Sequence, residues 1–262
     1  MAEGSILIAQ PSGARQALMA RPVAAALGAL ALALLLAGCG GGDSQSAEIV
    51  ETGLIREESL PGDDWRPVGD GLPDLFELLA LAGIPQDVLL QTPACRPVAE
   101  VAERSLVEFA HVPAEESGVT AFVRGELPLS QALIVSMVVS YQDEGRASRA
   151  AAELSAFLDD RLVAPCLSAI AGQITLLRGA TGMVTAPIVD LDDVGRLGFS
   201  FDGLGLILPV RLRGEIHVIQ HGRALGVLAV IDFNTSFLRR NGAAVMRDFD
   251  ARLRDVAAGT TG

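Results

Sequence analysis

Ala132 to Tyr141 constrains this chain more than any other stretch. Val135, Met137, Val139 and Tyr141 alternate onto one face, and Ile134, Ser136, Val138 and Ser140 onto the other, which is mixed. Period two with β-branched residues predicts a strand packed on one side. Almost at once the period changes to 3.6. From Glu144 to Leu162 an apolar stripe runs through Ala147, Ala150, Ala151, Leu154, Phe157, Leu158 and Leu162, while Arg146, Arg149, Glu153, Asp159 and Asp160 avoid it. That is an amphipathic helix, which Pro165 should stop.

The elements on either side fix the fold class. Pro73-Asp74 opens a helical run through Leu79 that Gly83 and Pro85 close, and a second helix begins after Cys95 with Pro97 in its first turn. Val119 to Leu127 is a weaker strand. Later strands are 173–178, 196–201, 207–221 and 224–233, the last two joined by a tight hairpin at His221-Gly222-Arg223. Asn241 caps a final helix whose Val245, Met246, Phe249, Leu253 and Val256 share a face, with Asp250 and Arg254 as an i, i+4 pair. Strands in meander-like runs, without regular βαβ alternation, predict an α+β fold: an antiparallel β-sheet flanked by helices, one domain over 71–258.

The N-terminus has a different character. Arg21 precedes an apolar run, Val23 to Leu36, and small residues follow in Leu36-Ala37-Gly38-Cys39. This is the layout of a secretory signal peptide, and the run is shorter than the ~20 residues a membrane span needs. The ending in cysteine resembles the lipobox of bacterial lipoproteins. Met19-Ala20-Arg21 gives a compact n-region by itself, which points to Met19 as the true start. The resemblance implies that residues 1–38 are removed and that Cys39 is lipidated and becomes the N-terminus. It places the protein at the extracytoplasmic face of the cell membrane. A lipoprotein cysteine of this kind carries several acyl chains, and each buried CH₂ is worth about 0.8 kcal/mol, so no basic patch is needed to help. Residues 39–70 are glycine-rich, then acidic, and are expected to form an extended tether.

Three cysteines are present. With Cys39 taken, Cys95 and Cys166 form an even pair, which in an oxidising compartment reads as one disulfide; the alternative is two buried thiols. The net charge is −12, and loss of residues 1–38 removes one acid and two bases, making the mature chain more negative still. Such a charge opposes binding to nucleic acid or to anionic lipid.

Few residues of the chain fall in patterns that carry chemistry. Every basic residue is arginine, so lysine Schiff bases and a P-loop lysine are excluded. Gly198 to Gly203 is out of step with a nucleophile elbow, and no His-Glu-x-x-His occurs. Asp190, Asp192 and Asp193 lack the glycine and later glutamate of a calcium loop and read as a solvated turn. His217 and His221 are four apart, but on a strand four residues span about 13 Å, too far to share an ion. In that strand Arg211, Arg213, Glu215, His217 and His221 share one face. It reads as a solvated sheet face or, more sharply, as a polar, pH-responsive binding face. Trp65 lies in the acidic segment, where it either docks on the domain or binds something else. No catalytic set, metal site or cofactor is expected.

From about Val119 to Ala258 the order resembles the Mog1/PsbP-like fold, and more narrowly the sensor-type domains of some actinobacterial receptor kinases and related lipoproteins. The strand ending Val139-Ser140-Tyr141, the alanine-rich helix 145–162, the cysteine past it, the hairpin at Gly222 and the helix 243–257 carry the likeness. It implies a lipid-anchored, non-enzymatic binding or sensor-type module whose partner is an envelope protein or lipid. The alternative is a carrier for a lipid or other apolar molecule, for which the 50% hydrophobic content speaks.

Overall fold

The computed structural model describes residues 44–68, 91–126, 130–171, 178–204 and 209–259. Cys39, the signal segment, the helix expected from Pro73 and nearly all of the strand expected over 173–178 lie outside them.

Among the described residues the elements run α1 (Ser44–Gly53), β1 (Arg66–Pro67), α2 (Arg96–His111), β2 (Ala114–Glu126), β3 (Ser130–Tyr141), α3 (Glu144–Ser155), α4 (Asp160–Ala171), β4 (Arg178–Thr185), β5 (Gly195–Leu204), β6 (Pro209–His221), β7 (Ala224–Phe233) and α5 (Ala243–Ala257). The strands form one sheet in the order β1-β2-β3-β7-β6-β5-β4, and every neighbouring pair is antiparallel. The expected α+β architecture is present, with helices on both faces.

One face meets α2, α3 and α4. Met137, Val139 and Tyr141 of β3, Leu212 and Val218 of β6 and Leu225 of β7 pack there against Ala147, Ala150, Ala151 and Leu154. The alanines keep the α3 side chains short, which lets the helix lie close to the sheet. The other face meets α1 and α5. Ile134, Val138, Ile219, Leu228 and Val230 pack there with Ile49, Val50, Met246, Phe249 and Leu253. Each such large side chain contributes about 1.5–3 kcal/mol when fully buried. Gly226 of β7 makes the second contact possible, because a Cβ there would come within 2.3 Å of the Leu253 side chain.

Four expectations are corrected. First, β3 is packed on both sides: Ser136 and Ser140 are fully buried. Their hydroxyls serve a segment the sequence placed elsewhere. Second, the acidic stretch is no extended tether from Ser44 on. It forms α1, crosses the sheet and delivers β1 to the outer edge of β2. Ser136 Oγ accepts from Ile55 N at 3.2 Å and lies 2.7 Å from Thr120 Oγ1, which donates to Ile55 O at 3.1 Å. Trp65 docks on the domain, buried and edge-on to Phe237 with ring centroids 5.0 Å apart. The few apolar residues among the acids are spaced to reach one face, so burial outweighs the charge repulsion that favoured an extended chain.

Third, the helix expected over 144–162 is two. It breaks at Asp159, whose backbone is extended and whose Oδ1 accepts from Arg161 N at 2.7 Å, starting α4 afresh. Pro165 then lies inside α4 and does not end it. Fourth, Asn241 is not a cap. A π-helical turn over Leu238–Gly242 runs straight into α5, and Asp232 holds that turn instead, Oδ1 accepting from Thr235 N at 2.9 Å and Oδ2 from Leu238 N at 3.1 Å.

Candidate functional site

The long strand β6 carries the residues singled out as a polar face. It alternates as expected, with Leu212 and Val218 in the core beneath α2–α4 and the polar set on the opposite side, which meets α5 and the β4–β5 connection. The polar set is not solvated as a whole. It divides into three environments along the strand.

At the open end Arg211 is exposed and its Nε is bonded to Asp202 Oδ1 on β5, directly opposite in the register. Asp202 Oδ2 also accepts from Ser200 Oγ at 3.2 Å. Arg213 is half-buried between Ser200 on β5 and Asp232 on β7.

In the middle, Glu215 and His217 are 2% and 1% exposed. The connection over 186–194 lies over them. His217 Nδ1 is 2.8 Å from Asp193 Oδ2, and Nε2 is 3.3 Å from Glu215 Oε2. Glu215 Oε1 accepts from Ile188 N at 2.7 Å. Arg196, opposite His217 on β5, reaches Asp190 at 2.8 Å and Asp193 at 3.8 Å. Ionised carboxylates only accept, so an imidazole with a carboxylate at each nitrogen is best served by donating from both, which is the imidazolium form. Burial alone would push the His217 pKa down. The hydrogen bonds to Glu215 and Asp193, and their negative charge, outweigh it and hold the pKa above its ordinary 6.5.

At the hairpin end His221 Nε2 is 2.7 Å from Asp250 Oδ1 of α5, and Arg254 binds the other oxygen of Asp250 at 2.7 Å. The two histidines therefore serve different carboxylates on different elements, in line with their separation along a strand. Among the described residues no group of three or more His, Cys, Asp or Glu is arranged to hold a metal ion.

Asp193 is the residue that sequence reasoning misplaced. Its side chain is only 7% exposed, whereas Asp190 in the same cluster is 91% exposed. A triplet of acids looks like a turn in water. Only the register that sets β5 beside β6 brings one of the three over His217, and no local pattern encodes that register.

Cys95 and Cys166 are disulfide-bonded, joining the start of α2 to the middle of α4. Both are buried. Beside Trp65 lies an open cavity of about 490 Å³ whose lining includes Glu57, Glu58, Asp63 and Asp64, so it is acidic. Among the described residues no helix is long and apolar enough to cross a membrane.

The chain matches no protein-family model, no curated protein and no solved structure.

Proposed function

We propose that this protein is a lipid-anchored, extracytoplasmic binding or sensor-type module of the cell envelope, held through Cys39 and without enzymatic activity. The observation that favours this over the carrier reading is the packing of the core among the described residues. Both sheet faces are occupied by the chain's own side chains. A carrier needs an apolar cavity, commonly several hundred Å³. The 490 Å³ space beside Trp65 is open and lined by carboxylates, which does not suit an acyl chain.

The chemistry of β6 points the same way. His217 has both ring nitrogens committed to carboxylates and is shut away from solvent. It offers neither a free lone pair for general-base work nor room for a substrate. The lipobox-like Leu36-Ala37-Gly38-Cys39, the disulfide and the likeness to Mog1/PsbP-type sensor domains support the location and the class.

Two experiments test the reading. The mature protein should exceed its sequence mass by that of the acyl chains, and a variant that lacks residues 1–38 and carries Cys39→Ser should not bind the membrane; an unmodified mature mass, or membrane binding unaltered in that variant, would overturn the anchor. Mass spectrometry of the protein purified from its native membrane in mild detergent should show a co-purified protein partner. A stoichiometric bound lipid would favour the carrier.

A further inference from the structure

The first turn of α1 is fastened to one end of the sheet. Ser46 Oγ donates to Glu115 Oε2 at 2.7 Å at the start of β2, and accepts from Arg223 in the β6–β7 turn at 3.0 Å and from Ser140 at the end of β3 at 3.3 Å. Arg223 also reaches Glu115 at 3.4 Å. The last turn of α5 is at the same end, with the Ala257 side chain beside Gly222. The opposite end holds Trp65, Asp63 and the π-helical turn with Arg239, where Asp232 takes Leu238 N.

Only four residues, five Cα-to-Cα steps, separate Cys39 from Ser44, where α1 begins. Fully extended, that chain reaches at most about 18 Å. The 12 residues of β3 are by themselves about 40 Å long. An anchor on Cys39 can therefore bring the bilayer to the end that carries Ser46 and the β6–β7 hairpin, but the other end lies beyond its reach unless the domain inverts. We infer that the β6–β7 hairpin end is the membrane-facing end of this domain, held against the lipid surface by a short leash, and that the Trp65–Arg239 end points away from the bilayer toward envelope partners. This rests on the anchor reading given above. The leash sets the orientation and not charge attraction, because Glu48, Asp143, Glu144 and Asp255 are all exposed at or near the hairpin end.

The test uses the full lipoprotein, oxidised and reconstituted in phosphatidylcholine vesicles that carry a headgroup-attached quencher. One fluorophore is placed at a time through Gln142→Cys or Ala257→Cys at the hairpin end, and through Asp63→Cys or Arg239→Cys at the other. All four positions are exposed. Quenching should be several-fold stronger at 142 and 257 than at 63 and 239. Equal or reversed quenching overturns the orientation. Inserting a twenty-residue Gly/Ser linker between Asp43 and Ser44 should erase the difference between the ends; a difference that survives unchanged also overturns it. Failure of the anchor reads out separately, since a Cys39→Ser protein without residues 1–38 that still sediments with the vesicles sinks the anchor whatever the labels show.

Discussion

His217 Nδ1 lies 2.8 Å from Asp193 Oδ2, although they are 24 positions apart in the chain and Asp193 belongs to the connection that covers β6. Glu215 completes the arrangement by binding the ring on its other side and Ile188 N in that same connection. The connection over 186–194 is thus fastened to the sheet through one imidazole and two carboxylates, all nearly excluded from water.

That geometry makes stability depend on pH with a definite sign. The folded-state pKa of His217 is raised above its unfolded value of about 6.5. The fold therefore binds this proton more tightly than the unfolded chain does. The resulting stabilisation is complete below about pH 6.5 and is lost as pH rises through the folded pKa. His217→Gln should remove that dependence. It should also cost about 3 kcal/mol at pH 6, because two buried carboxylates lose their cation. Urea unfolding of both proteins from pH 6 to 9 checks it: the difference between them should shrink as pH rises, and a constant difference would contradict the imidazolium assignment.

The Cys95–Cys166 bridge closes a loop with a sequence separation of 71. In the chain-entropy model such a cross-link stabilises by about 4 kcal/mol, acting on the unfolded state. The Cys95→Ala/Cys166→Ala double variant should lose about that much in chemical denaturation and keep the same sheet content by circular dichroism. A loss below about 1 kcal/mol would mean that the two ends are already held near each other in the unfolded chain.

Trp65 is the single tryptophan of the chain and reports on the docked N-terminal segment. It is buried, its Nε1–H donates to Pro61 O at 3.2 Å, and it stacks edge-on against Phe237. Native emission should be blue-shifted and should move red in step with global unfolding. Trp65→Ala should cost about 3–5 kcal/mol. A near-neutral result, or emission that shifts red before the sheet melts, would show that residues 44–68 detach independently.

What the sequence made legible, and what it hid, divides along a physical line. Features written in one local period were readable: β3, β7, the stripe of α5 and the hairpin at Gly222 all depend on spacing within a single element. The cysteine pair was readable from compartment logic alone. What escaped depends on contact between distant segments. Ser136 and Ser140 looked like a half-wet strand face, yet they are buried because Ile55 and Ser46 come to meet them. Glu215 and His217 looked solvated for the same reason, since the covering connection is remote in the chain. The break at Asp159 escaped because the apolar stripe continues through it. β4 escaped because Arg178 to Thr185 holds two glycines and few strong strand formers; its place at the sheet edge is set by pairing with β5 and by α4 above it.

Gly182 in that edge strand faces the backbone of α4, whereas Gly226 of β7 faces side chains of α5. A Cβ at Gly182 would sit 2.3 Å from the Leu167 carbonyl oxygen and 2.7 Å from its carbon, which are backbone atoms of α4. At Gly226 the nearest atoms are the Leu253 and Phe249 side chains, at 2.3 and 2.8 Å. Side chains can give way by changing rotamer, whereas backbone can yield only if a whole element moves. Here α4 is also held by the Cys166 bridge next to Leu167. Overpacking usually costs about 1–3 kcal/mol. Gly226→Ala should fall inside that range and Gly182→Ala at its upper end or above, with an accompanying change in the amide signals of α4. If the two variants were equally mild by urea unfolding, the close approach of α4 to β4 would be wrong.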